Sequence, residues 1–326
     1  MKQEETYAFW IAAPGRGEIR REMLAGPGPD EVKVQALYSG VSRGTESLVF
    51  RGHVPLSEFE RMRAPFQAGQ FPAPVKYGYS SVGQVLEGPA DKVGNIVFCL
   101  HPHQQRYVVP LSAVHPLPAN VPAARAILAA NLETALNGIW DSGAGPGDRV
   151  TVIGAGSVGC LVAWLAGRIP GCDVELVDLN PARRATAERL GVRFAHPGAA
   201  RERADVVLHA SASSEGLALA MRVAGFEATV VELSWYGDRP VTLALGEAFH
   251  SQRLTLKSSQ VGTIADSRRG RWTFARRMSL ALSLLSAPEL DALINSESGF
   301  DDLPRVMGEL SEAAGDVIMH RVKYDN

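Results

Sequence analysis

The stretch Arg149-Val150-Thr151-Val152-Ile153-Gly154-Ala155-Gly156-Ser157-Val158-Gly159 decides how this chain is read. Arg149 to Ile153 is mostly β-branched and apolar, which predicts a buried strand. The glycines that follow have the G-x-G-x-x-G spacing, and Ser157 to Arg168 predicts a helix stopped near Pro170 and Gly171. Strand, glycine turn and helix form the context in which this spacing means dinucleotide binding. Gly154 would make the tight turn, Gly156 would let a pyrophosphate approach the backbone, and Gly159 would let helix and strand pack closely. Ser157 and Val158 open the helix, whose N-terminus offers N–H groups and partial positive charge to phosphate. Nineteen residues after Gly159 comes Asp178, just past the predicted strand Asp173 to Val177. A carboxylate there grips the adenine-ribose hydroxyls and repels a 2′-phosphate, so NAD is the expected cofactor. NADP is the alternative, because Arg183 and Arg184 lie just beyond and an arginine there can pair with that phosphate. Both arginines are read first as a solvated helical turn.

Outward from this stretch, strand and helix patterns alternate. Helices are predicted over Arg125 to Ser142, Pro181 to Leu190 and Glu215 to Ala224, and strands over Asp205 to His209, Thr229 to Leu233 and Leu254 to Ser258. Such alternation means a parallel sheet wrapped by helices. The first ~115 residues read differently, as short strands punctuated by Gly and Pro, including Glu31 to Tyr38, Ser81 to Leu86, Asn95 to Leu100 and Arg106 to Val109. Gly52 to Tyr77 reads as a long ordered loop with a helical turn or two. After Gly262 one long helix, Arg271 to Leu285, and a strand-like tail, Asp316 to His320, are predicted. The fold class is therefore α/β, a β-rich unit joined to a doubly wound Rossmann unit.

The 326 residues carry 46% hydrophobic and 21% charged side chains and a net charge of −2, so nothing points to nucleic acid or an anionic membrane. No apolar run reaches the roughly 18 residues of a membrane span. The start, MKQEETYAFW, is polar and has no apolar core of a secretory signal, and the three cysteines are widely spaced. A cytoplasmic protein without disulfides is expected.

At this point the whole chain resembles the medium-chain dehydrogenase/reductase superfamily, through its β-rich start, the helix Arg125 to Ser142, the entry Gly145-Pro146-Gly147-Asp148-Arg149-Val150 and the tail. The resemblance implies a GroES-like catalytic domain, 1–131 completed by 263–326, and a Rossmann domain, 132–262. It also implies hydride transfer between a nicotinamide and a small alcohol or carbonyl substrate, and a homodimer. Two segments resemble the family's zinc signatures and depart from them. Where G-x-C-x-[ST]-D is expected stands Gly40-Val41-Ser42-Arg43-Gly44-Thr45-Glu46, and where G-H-E-x-x-G-x-V is expected stands Gly78-Tyr79-Ser80-Ser81-Val82-Gly83-Gln84-Val85. Ser42 or Arg43 replaces the cysteine ligand, Tyr79 the histidine and Ser80 the glutamate; Glu133 stands close to the third ligand position. Hydroxyls are poor zinc ligands, so no metal is expected. The pair of segments is most similar to a zinc-poor branch that includes the bacteriochlorophyllide dehydrogenases.

Without a metal, hydrogen-bond donors must stabilise the developing oxyanion. Tyr79 is the first candidate donor and acid, with filling of the emptied cavity the competing role. Ser42, Arg43, Thr45 and Glu46 are candidates for substrate or nicotinamide-ribose contacts, and Glu133 for contact with substrate or nicotinamide. The resemblance places Val261 near the nicotinamide carboxamide. His103 is a lesser candidate for a proton relay. The arginines from Arg268 to Arg277 read as a solvated helix face. The leading expectation is a zinc-independent alcohol or ketone oxidoreductase. The alternatives are an NADPH-dependent quinone or enoyl reductase and a non-catalytic dinucleotide-binding protein.

Overall fold

In the chain's computed structural model, which describes residues 4–312 and 315–325, the contacts divide the molecule into two compact units. One comprises Met1–Ala130 and Leu282–Asn326, the other Asn131–Ala281.

The first unit is β-rich. Its main sheet is organised on the strand Glu31–Val41, which pairs antiparallel with Ser81–Glu87, Arg106–Pro110 and the tail strand Met319–Lys323. The tail register sets Val322 opposite Ser39, so residues from the two ends of the sequence share one layer. A second sheet starts from the hairpin Glu4–Ala13 and Arg16–Leu24, in the segment that composition alone marks as merely polar. Thr6 and Ala8 are buried while Glu5 and Tyr7 are exposed, the period-2 alternation of a half-buried strand. Between Gly52 and Tyr77 the chain makes a 3₁₀ turn, Leu56–Glu58, and two short strands, Ala68–Gly69 and Val75–Lys76.

The signature segment after Gly40 forms a helix, Arg43–Phe50, which the sequence reading did not anticipate. Ser42 occupies its N-cap with an extended backbone, and Glu46 Oε1 accepts from the Ser42 N–H at 2.8 Å. That reach back over one turn buries Glu46 and points its other oxygen inward.

The second unit holds six parallel strands: Arg149–Ile153, Asp173–Val177, Arg193–Ala195, Ala204–His209, Ala224–Glu232 and Thr255–Ser258. Their spatial order is third, second, first, fourth, fifth, sixth. The order reverses between the first and fourth strands, which is the switch point of a Rossmann sheet. Apolar residues at 150, 152, 207, 208, 230 and 231 fill its buried layers.

This unit runs on to Ala281, past the expected boundary at 262. Arg277 gives the reason. Far from lying on a solvated face, it is 2% exposed and donates to Glu133 Oε1 (3.1 Å), Asn137 Oδ1 (2.9 Å) and the Val261 carbonyl (2.6 Å).

Candidate functional site

Two places gather the residues singled out above, one in each unit. In the second unit, the fingerprint glycines differ in what the fold demands of them. Gly154 has φ +101°, and a Cβ there would meet the Ser211 backbone nitrogen at 2.8 Å. A Cβ on Gly159 would overlap the Gly154 carbonyl oxygen. Gly156 has an ordinary φ of −79°, and a Cβ on it would touch nothing within 4 Å. Packing gives no reason for glycine at 156; a phosphate lying against the backbone supplies one. The helix Ser157–Ala166 that follows has no side-chain cap, so its positive end suits an anion.

Asp178 lies just past its strand, with Oδ2 accepting from the Ala155 N–H at 2.6 Å and Oδ1 from the Asn180 N–H at 2.8 Å. Each oxygen keeps lone-pair capacity for a ribose hydroxyl. Arg183 corrects the sequence reading: it is buried, whereas Arg184 is exposed over the Phe194 ring. The Cys160 thiol is pushed up to about 12 by burial, with the charges of Arg183 and Asp178 acting on it in opposite directions. Arg183 thus stands beside the acidic ribose position. The residues present fit a dinucleotide. The Val261 carbonyl accepts from Arg277 at 2.6 Å. Glu133 is likewise committed to Arg277; burial raises its carboxyl above the usual range while the guanidinium opposes this.

In the first unit, the structure brings Ser42, Thr45, Glu46 and Tyr79 together. Tyr79 is partly exposed, and its phenol is hydrogen-bonded by the side chains of Ser42 and Thr45. Burial, then the charge of Glu46, push the phenol well above its ordinary range. The Tyr77 ring stands edge-on at 6.0 Å. Behind Tyr79, Glu46 Oε2 lies 2.8 Å from His103 Nε2, His103 Nδ1 lies 2.7 Å from Ser39 Oγ, and Ser39 Oγ lies 2.9 Å from Tyr324 Oη. Glu46 and His103 are 2% and 1% exposed, so this carboxylate–imidazole pair sits in a low dielectric, where a pair adds little net stability. Ser39 and Tyr324 escaped the sequence reading; only the antiparallel pairing of 31–41 with 319–323 joins them. Arg43 turns away, donating to the Gly315 carbonyl at 3.0 Å.

The positions where the resemblance expects zinc ligands hold hydroxyls. Ser80 donates to the Ile127 carbonyl at 2.6 Å, and Tyr79 is occupied as described. His101 stacks on Tyr107 at 3.8 Å, and burial drives it down to about 3. Among the described residues no three His, Cys, Asp or Glu side chains gather to hold a metal. This donor set does not suit zinc.

No family model matches the chain. Over 94 residues, 29% of the chain, it is 31% identical to a 2-dehydro-3-deoxy-L-galactonate 5-dehydrogenase from Pseudoalteromonas atlantica, and the match spans 27% of that protein. The fold is similar over nearly the whole length to three solved structures. A protein named as a zinc-binding dehydrogenase from Sinorhizobium meliloti 1021, bound to NADP, aligns with a TM-score of 0.78 at 19% identity, over 98% of this chain and 100% of that one. The L-idonate 5-dehydrogenase of Escherichia coli K-12 aligns at 0.80 and 13% identity, over 99% of each chain. A protein named as a short chain alcohol dehydrogenase from Escherichia coli CFT073, complexed with NADH, aligns at 0.76 and 16% identity, over 98% of this chain and 99% of that one. The chain has the fold of the medium-chain dehydrogenases, a β-rich unit and a Rossmann unit built from one sequence.

Proposed function

We propose that this protein is a nicotinamide-dependent oxidoreductase that moves a hydride between the cofactor and a small alcohol or ketone, without zinc. The observation that carries this reading is Tyr79. It stands where the resemblance expects a metal-ligating histidine, held by Ser42 and Thr45 and backed by the buried Glu46–His103 pair. Burial and the Glu46 charge hold its pKa up, and Lys76 is paired with Glu22 at 2.7 Å and Gln104 at 2.9 Å. Tyr79 therefore stays a phenol and acts as a hydrogen-bond donor to the carbonyl oxygen as negative charge develops there.

The dinucleotide supplies the hydride when bound. Gly154, Gly156 and Gly159 would cradle its pyrophosphate at the helix start, and Asp178 would take the adenine ribose. The buried Arg183 beside Asp178 keeps NADP as an alternative to NAD. Membership of the medium-chain superfamily, cytoplasmic location and a homodimer go with this reading.

The test is titration of the purified protein with NADH and NADPH, followed by nicotinamide fluorescence, after metal analysis of the same sample. Saturable binding without stoichiometric zinc, and carbonyl reduction impaired by Tyr79→Phe, is the expected result. Failure to bind either dinucleotide overturns it, as does stoichiometric zinc needed for turnover. NADPH-only binding with turnover of quinones and none of ketones or alcohols would favour the quinone or enoyl reductase.

A further inference from the structure

The second unit also holds a serine, a histidine and a glutamate in a line. His209 and Glu232 end adjacent parallel strands and pair in register. Their side chains meet at the carboxyl edge of the sheet, where His209 Nδ1 lies 2.7 Å from Glu232 Oε2. Two residues further on, Ser211 brings Oγ to 2.6 Å from His209 Nε2. His209 is fully buried, and Ser211 is exposed.

The proton positions follow from the donors. Glu232 also accepts from the Tyr236 hydroxyl at 2.8 Å and the Ser234 N–H at 2.7 Å. Burial resists ionisation of this carboxyl, but His209 and Ser234 hold it below the usual carboxylate range. An ionised carboxylate only accepts, so the tautomer that fits Glu232 has its proton on Nδ1 and presents the Nε2 lone pair to the Ser211 hydroxyl. Ser213 Oγ, 2.9 Å from Ser211 Oγ, itself accepts from the Gly216 N–H at 3.0 Å. A Cβ on Gly216 would collide with Ser211 Oγ and meet His209 Nε2 at 2.6 Å, so glycine lets the helix Ser214–Val223 start close above the hydroxyl. The first N–H groups of a helix have no partner within it and suit an oxyanion.

We propose that Ser211, His209 and Glu232 form an acyl-transfer site that hydrolyses small carboxylic esters. Ser211 Oγ attacks the carbonyl carbon while His209 Nε2 takes its proton. The carbon–oxygen bond of the ester breaks, and His209 returns the proton to the departing alkoxide. Water then attacks the acyl-serine with His209 again as base, releasing the acid and restoring Ser211. Glu232 fixes the tautomer throughout. Water is the only co-reactant.

The test uses the full-length protein, p-nitrophenyl acetate and a fluorophosphonate probe. The expected results are probe mass on Ser211 by peptide mass spectrometry and ester hydrolysis that falls about 100-fold or more in Ser211→Ala. Glu232→Gln falls by about the same factor, because an amide permits the wrong tautomer. Ser279→Ala, on an exposed helix position, retains the full rate. Ser211→Ala leaves Nε2 of buried His209 without its partner, so its melting temperature is read beside the rate, and the probe adduct on Ser211 of the wild type separates chemistry from folding without any variant. No probe on Ser211, or unchanged hydrolysis in Ser211→Ala, overturns the proposal. A failed nicotinamide titration leaves these readouts untouched.

Discussion

Gly156 and Gly159 answer to different demands, and alanine separates them. Gly156→Ala meets no neighbour, so it melts with the wild type while its NADH affinity falls. Gly159→Ala strikes the Gly154 carbonyl, so it loses both stability, by about 1–3 kcal/mol, and dinucleotide binding. Differential scanning calorimetry beside the fluorescence titration reads the two effects. A Gly156→Ala variant that binds NADH as wild type does would break the cradle reading. Tyr79→Phe keeps the ring and removes the donor, so carbonyl reduction should fall about 100-fold at unchanged NADH affinity. Because the phenol is raised, it keeps its proton across the neutral range. A pH–rate profile should show no alkaline loss from Tyr79 below about pH 10. Spacing carries the candidate roles of the glycines, Asp178 and the Ser42–Glu46 and Tyr79 segments, and the variants above test those of Gly156, Gly159 and Tyr79. Arg183 was not legible, since solvation of a charged helical turn is only a statistic, and its burial beside Cys160 is a tertiary fact.

Among elements, the segment around Arg277 carries the clearest energetic test. Its guanidinium spans Glu133, Asn137 and Val261, and Asn137 Oδ1 also accepts from the Ala265 N–H at 3.1 Å. Arg277→Ala leaves the buried Glu133 without its charge partner and should cost about 3–5 kcal/mol, read by urea unfolding. Adding Glu133→Leu should recover most of that loss, since a buried pair replaced by apolar groups is often neutral. A double variant as unstable as the single one would locate the damage elsewhere. The strands 149–153 and 173–177 were legible to the residue, because buried parallel strands are short apolar runs with abrupt ends. The helix Arg43–Phe50 was not. Gly44 weakens its local signal, and the helix is held partly by Glu46 reaching back to Ser42 and by burial of Leu48, Val49 and Phe50.

For the molecule as a whole, two buried histidines set a response to acid. Burial chiefly holds His101 at about 3 and His320 at about 4, the latter between Ser296 at 2.8 Å and Ser298 at 2.9 Å. An unfolded histidine titrates near 6.5, so below that pH the unfolded chain binds protons that the folded chain refuses. Stability contributed by these groups is complete above about pH 6.5 and drains away as pH falls towards 3–4. His101→Phe keeps the stack on Tyr107 and should flatten the slope by about 1.4 kcal/mol per pH unit between pH 6 and 4. Melting temperatures across that range decide it; an unaltered slope would mean His101 protonates in place. The two-unit plan was legible from the change of pattern near residue 125, but the extent of the return was not, because Arg277 makes its contacts at a distance of up to 144 residues. The strand Met319–Lys323 closes the β-rich unit against Glu31–Val41 and carries Tyr324 to Ser39. On the ribosome this inverts the order of birth. The β-rich unit cannot close until residues 319–323 have been made, and the contiguous 131–281 is free to mature while it waits. A translation product stalled before residue 319 would leave the Glu31–Val41 strand without its Met319–Lys323 partner, an open edge for chaperones and proteases alike.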